Sequence, residues 1–278
     1  MRIALLATGG TIACRQTPDG LSPALHAEEL AKSIACRDGV TLLPVDVFSM
    51  DSSNIQPEEW TQLAHAVDRA MQTCDGVVIT HGTDTMAYTA CALSYLVQQS
   101  GKPIVLTGAQ KSIYVQDTDA RRNLYDAFVA AQDDNLAGVY IVFDGRVILG
   151  TRARKTRTKS MNAFSSIDYP DVALIRDGRI LHYIRQPRPQ TPPAFYGRLD
   201  ASVFVLRLIP GMNPEVLRLL ASRFDALVIE SFGVGGIPHG LLDEFYRILH
   251  SCPAGEKIVV MTTQVVGEGS DVGIYEVG

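Results

Sequence analysis

Two threonines stand where a hydrolytic site could be built. Thr11 lies in Thr8-Gly9-Gly10-Thr11-Ile12-Ala13 and Thr83 in Thr80-His81-Gly82-Thr83-Asp84-Thr85. Each stretch follows an apolar run, Ile3 to Ala7 and Val77 to Ile79, that reads as a buried parallel strand. Each threonine therefore falls just past the carboxyl end of a strand, where open α/β sheets form their ligand crevices. Hydroxyls, the carboxylate of Asp84 and flexible glycine backbone make a set suited to amide hydrolysis. The Gly-Gly pair also suits a tight turn or a phosphate cradle. It lacks the G-x-G-x-x-G spacing and the Walker lysine, which argues against a nucleotide. The stretch from Arg15 to Pro23 contains Thr17-Pro18-Asp19-Gly20, is turn-rich without helical period, and fits a mobile flap over a site.

Thr83 and Asp84 sit at a strand-to-helix transition, where a helix amino terminus favours anions. Plain helix capping is the competing explanation. His81, beside a glycine, reads as structural rather than as a base. The segment Thr151-Arg152-Ala153-Arg154-Lys155-Thr156-Arg157-Thr158-Lys159 is strongly basic. Its cations cluster with little aromatic interleaving, which speaks against a nucleic-acid surface. Cationic neighbours disfavour the protonated state of one lysine, and a neutral lysine beside a threonine hydroxyl could act as a general base. An adjacent aspartate would orient that lysine while favouring its charged form, so the residues alone leave the net direction open. Asp51-Ser52-Ser53-Asn54 stands at a strand end before a helix. It reads either as a turn and cap or as hydroxyls and N–H groups that recognise a substrate carboxylate.

The elements that must position these residues alternate. Strand-like runs at 40–48, 77–80, 104–107 and 138–143 are separated by helix-like stretches at 56–71, 84–97 and 119–132, the last capped by Thr118 or Asp117. Pro57 begins the first of those helices with acids behind it, and Asp144-Gly145 reads as a tight hairpin turn. The fold class expected is α/β: a large doubly wound, mostly parallel sheet domain over residues 1–184 and a smaller α/β C-terminal domain over 202–278. The four prolines between Arg185 and Pro193 mark a semi-rigid linker at 185–201. The smaller domain shows strands at 203–208, 226–230 and 257–261 and helices at 214–221 and 241–250. It ends without a closing helix, so it reads as incomplete.

A chain of 278 residues that is 46% hydrophobic can bury two cores. A net charge of −5 argues against nucleic acid as a general partner. No apolar run reaches the roughly 18 residues of a membrane span, and the first residues run straight into the Gly-Gly loop, so they read as a strand rather than a signal peptide. Five widely spaced cysteines suggest neither a disulfide framework nor a zinc site, which fits a reducing cytoplasm.

Together these residues resemble the bacterial-type L-asparaginases, and more closely their cytoplasmic type I branch. The resemblance runs over the whole chain and rests on Thr8 to Ala13, Asp51-Ser52-Ser53, Thr80 to Thr85, Thr107-Gly108-Ala109-Gln110 and Arg154-Lys155-Thr156-Arg157-Thr158, in order. It implies Thr11 as nucleophile and Thr83, Lys155 and Asp84 as a supporting triad. It also implies that Asp51, Ser52, Ser53, Thr83, Asp84 and Ala109 bind the substrate L-asparagine. No metal or organic cofactor is implied, and the assembly expected is a homotetramer, a dimer of dimers. Leu21 stands where the family's flap often has a tyrosine, and Gly236 where others have an asparagine. The resemblance also implies a continuation past Gly278. Glutamine hydrolysis, a subunit of a tRNA-dependent amidotransferase and a non-catalytic asparagine sensor are the competing functions. One methylene separates the two amides by only about 1–3 kcal/mol.

Overall fold

A computed structural model describes residues 1–17, 20–23, 25–34, 39–251 and 257–271. The chain divides into two compact units, Met1–Leu199 and Asp200–Gly278.

In the first unit, β1 (Arg2–Gly9) leads through a short 3-10 turn into a hairpin of β2 (Cys14–Thr17) and β3 (Gly20–Pro23). Then come α1 (Ala27–Lys32), β4 (Thr41–Met50), α2 (Pro57–Met71), β5 (Gly76–Thr80), α3 (Met86–Leu96) and β6 (Val97–Gln98). β7 (Pro103–Thr107), α4 (Ala120–Ala131), β8 (Gly138–Phe143), β9 (Arg146–Leu149), β10 (Ala153–Lys155) and β11 (Phe164–Ser166) follow. The unit ends with β12 (Ala173–Arg176), β13 (Arg179–His182) and β14 (Ala194–Phe195).

The main sheet has the order β13-β12-β9-β8-β7-β5-β1-β4. From β4 to β8 all neighbours are parallel, and β9, β12 and β13 extend the edge antiparallel. The five parallel strands, numbered along the chain, lie second-first-third-fourth-fifth. The order reverses between β1 and β5, and such a reversal opens a crevice at the strands' carboxyl ends.

Why these strands are apolar throughout follows from what covers them. Ile3, Leu5, Val78 and Val105 face α1 and α4, packing with Leu30, Leu124 and Phe128. Their neighbours Ala4, Leu6, Val77, Ile79, Ile104 and Leu106 face α2 and α3, against Leu63, Val67, Met86 and Leu93. With both faces covered, these positions are apolar, and the buried threonines Thr8, Thr80 and Thr107 come only at the strands' carboxyl ends. Each such fully buried Leu or Ile contributes about 1.5–3 kcal/mol.

α2 has Pro57 in its first turn, and Glu59 Oε2 accepts from the Gln56 N–H at 2.8 Å. Its carboxyl end is closed by Lys102 Nζ, which donates to the carbonyls of Met71 (2.8 Å) and Cys74 (2.7 Å). Asp144 (φ 50°) and Gly145 (φ 76°) make the expected two-residue turn from β8 to β9. Asp177 (φ 48°) and Gly178 (φ 69°) make the same turn between β12 and β13, a hairpin not among the strands expected above although it carries the same Asp-Gly signal.

Two expectations need adjusting. α3 begins at Met86 rather than at Asp84. Within the stretch read as a linker, Ala194–Phe195 pairs antiparallel with β6 through Ala194↔Gln98 and Phe195↔Val97.

In the second unit, β15 (Val203–Arg207), α5 (Glu215–Arg223), β16 (Ala226–Ser231), α6 (His239–Ser251) and β17 (Ile258–Thr263) form a parallel sheet of order β15-β16-β17. Leu206, Leu227 and Ile229 pack with Leu217 of α5 and Leu241 and Phe245 of α6. Among the described residues no helix is long and apolar enough to cross a membrane.

Candidate active site

The motif stretches converge at the β1/β5 crevice, where glycine lets backbones touch. Thr8 Oγ1 donates to the Thr80 carbonyl at 2.8 Å, tying the ends of β1 and β5 together. Gly10 (φ 77°) lies so close to the backbone of Gly82 that a Cβ would collide with it. A Cβ on Gly82 would meet the Ser52 side chain, and one on Gly108 the His81 carbonyl. The loops carrying Thr11, Ser52, Thr83 and Ala109 are therefore in direct contact. Ser52, Thr83 and Ala109 are buried, and Thr11 is half-buried.

Lys155, the last residue of β10, reaches into this cluster with its side chain 16% exposed. Its Nζ donates to Thr83 Oγ1 at 2.8 Å and to Asp84 Oδ1 at 2.7 Å. Neither Thr83 nor Asp84 caps α3; the residue before that helix is Thr85, whose hydroxyl donates to the Ser52 carbonyl at 2.8 Å. A hydroxyl, an amine and an orienting carboxylate in hydrogen-bond reach are the geometry of an activated nucleophile. Among the described residues no hydrogen bond joins Thr11 to these three.

Asp51 does act as a cap. Its Oδ1 accepts from the Ser53 N–H at 2.9 Å and from the Ser53 hydroxyl at 2.8 Å, and these two bonds hold its carboxyl below the usual range. His81 is structural, as expected. Its Nδ1 meets the Gly82 carbonyl at 2.7 Å, and since a carbonyl only accepts, Nδ1 carries the proton. Nε2 then accepts from the Thr89 hydroxyl (2.9 Å), which accepts from Trp60 Nε1 (2.9 Å). Burial pushes His81 down to about 4, so it stays neutral. Cys14 Sγ donates to the Gly10 carbonyl at 3.2 Å, and burial, then Asp51, push its thiol up. A protonated thiol is no nucleophile.

Asp119 and Asn123, which no motif singles out, hold the Ala109 loop. Asp119 accepts from the N–H groups of Gln110 (2.9 Å) and Lys111 (3.0 Å), and Asn123 Nδ2 donates to the Gly108 carbonyl at 3.0 Å. The flap expected at 15–23 lies partly outside the described residues, as does the side chain of Leu21. Its described backbone is the β2–β3 hairpin. Gly236 closes a turn of the second unit through its bridge to Phe232. No three His, Cys, Asp or Glu side chains are grouped to hold a metal ion among the described residues.

Comparison with known proteins places this fold in one class. The family model "Asparaginase, N-terminal" matches residues 2–188, and "Glutaminase/Asparaginase C-terminal domain" matches 202–278. The chain belongs to the asparaginase family and is an enzyme of that family. An L-asparaginase of Thermococcus kodakarensis is 41% identical over all of this chain and 84% of its own length. The solved L-asparaginase of that organism superposes with a TM-score of 0.93 at 40% identity, covering 100% of this chain and 84% of that one. L-asparaginase I of Vibrio cholerae gives 0.82 at 29% identity, over 95% of this chain and 81% of that one. One of the subunits of the glutamyl-tRNA(Gln) amidotransferase of Pyrococcus abyssi is 31% identical over 99% of this chain, and the match spans 65% of that longer protein.

Proposed function

We propose that this chain hydrolyses L-asparagine to L-aspartate and ammonia through a threonine acyl-enzyme. The observation that carries the reading is the cluster of Lys155 with Thr83 and Asp84 at the β1/β5 crevice. Thr11 attacks the side-chain amide carbon, its hydroxyl proton passes towards the Thr83–Lys155 pair, and the C–N bond breaks as ammonia leaves with a returned proton. Water, deprotonated by the same pair, then cleaves the ester and frees aspartate and Thr11. Ser52, Ser53 and the N–H groups around them hold the α-carboxylate, Asp84 the α-ammonium, and Asp51 and Ala109 line the same pocket.

Asparagine is favoured over glutamine by the full-length likeness to named L-asparaginases. A pocket one methylene shorter distinguishes the two by about 10- to 200-fold. The protein works without metal or organic cofactor, in the cytoplasm, as a homotetramer.

Geometry supports one rival within this scheme: Thr83, not Thr11, is the hydroxyl bonded to the amine. Trapping with a slowly hydrolysed asparagine analogue, followed by peptide mapping, separates them. A label on Thr11 supports the first assignment and one on Thr83 the second. Absence of ammonia release from asparagine by the purified protein overturns both.

A further inference from the structure

Lys155 stands on a strand of three residues, and so short a ladder does not fix a side chain by itself. β10 pairs with β11 through Ala153↔Ser166, Arg154↔Ser165 and Lys155↔Phe164, and backbone bonds from the Thr156 N–H to the Ala163 carbonyl (2.8 Å) and from the Ile167 N–H to the Arg152 carbonyl (2.9 Å) close its two ends. Two devices hold this pair from outside. Arg146 Nη1 donates to the Phe164 carbonyl at 3.1 Å, while its Nε and Nη2 grip both oxygens of Asp171 at 2.7 and 3.0 Å. On the other flank the side-chain amide of Gln110 donates to the carbonyls of Thr158 (3.2 Å) and Ser160 (3.0 Å). These carbonyls belong to the turn that Lys155 enters.

Gln110 is a firm anchor, because its own N–H is held by the buried carboxylate of Asp119. The same loop grips the Thr11 segment further on. Ser112 Oγ donates to the Cys14 carbonyl, the Ile113 N–H meets the Ile12 carbonyl at 3.4 Å, and Arg15 donates from Nη2 to the Tyr114 hydroxyl at 2.7 Å. One loop thus touches both arms of the cluster, and Gln110 is its contact with the lysine arm.

We infer that Gln110 is a positioning residue for Lys155: its primary amide pins the 158–160 turn and so sets the reach of Nζ to the Thr83 hydroxyl. This rests on the reading of Lys155 as a catalytic residue. The amide is suited to the task because it offers two N–H groups to two carbonyls, where a carboxylate would offer only acceptors.

The test uses the full chain carrying Gln110→Met, which keeps the length and loses both donors, with Gln110→Glu as a second variant and Lys155→Met as control. Ammonia release from asparagine gives kcat and KM across pH, and thermal melting reports the fold. We expect both Gln110 variants to lose about 10- to 100-fold in kcat, the scale of a misplacement near 1 Å. KM and the melting temperature should stay near the parent's, and the acid limb of kcat should move, since that limb reports the base in the substrate complex. A kcat within about two-fold of the parent overturns the inference, as does a loss that follows the melting temperature with the acid limb in place. A Lys155→Met control of parental activity fails the underlying reading instead.

Discussion

Arginine at position 155 would separate charge from basicity. The guanidinium can still pair with Asp84, which Lys155 meets at 2.7 Å, but it does not release a proton near neutral pH. Lys155→Arg is therefore expected to fall at least about 100-fold in kcat, the effect of removing a general base. Activity within a few-fold of the parent would make Lys155 an electrostatic group only. A second residue, Asp126, matters for stability. It is 4% exposed on α4, with Arg122 Nε at 3.6 Å from Oδ2. Burial pushes its carboxyl up to about 6; Arg122 opposes the rise and Asp144 adds to it. The fold favours the protonated acid, so this stabilisation is complete below the ordinary value of 3.8 and is lost as pH rises through about 6. Asp126→Asn should gain on the order of 2 kcal/mol over the parent at pH 8 and nothing near pH 4. Urea unfolding at both pH values measures it, and an equal difference at the two would acquit Asp126.

The loop after β1 accepts only glycine at position 10. With φ at 77° and the backbone of Gly82 where a Cβ would stand, Gly10→Ala must part the β1 and β5 loops. Left-handed strain alone costs about 1–3 kcal/mol. The expected outcome is a kcat/KM about 100-fold lower with far-ultraviolet circular dichroism unchanged; parental kinetics would mean that the contact positions nothing. The central parallel strands are legible in the sequence because burial on both faces keeps them apolar up to their terminal threonines, and Asp144-Gly145 because its turn needs two left-handed residues. The start of α3 is not. Thr83, Asp84 and Thr85 have the composition of a helix cap, but their side chains bond Lys155 and Ser52, partners distant in the chain. The same distance hides Gln110, whose amide bonds a carbonyl 50 residues away. Residue type announces a donor but not its acceptor.

At the scale of the whole molecule, the two units have separate cores of unequal size. The central strands of the first unit's eight-stranded sheet are covered on both faces, while the described residues of the second rest on three strands and two helices. Smaller cores bury a smaller fraction of their surface and are less stable. Calorimetry of the full chain should therefore resolve two transitions, the unit at 200–278 melting first. Hydrogen exchange would identify it, and one two-state transition for the whole chain would contradict this. The chain also carries a single tryptophan. Trp60 bonds Thr89, Thr89 bonds His81, and His81 bonds the carbonyl of Gly82, one residue before Thr83. The sole indole fluorophore is thus wired to the loop that would change on ligand binding. Emission from the unlabelled protein becomes an optical gauge of that loop, free of background from any other indole.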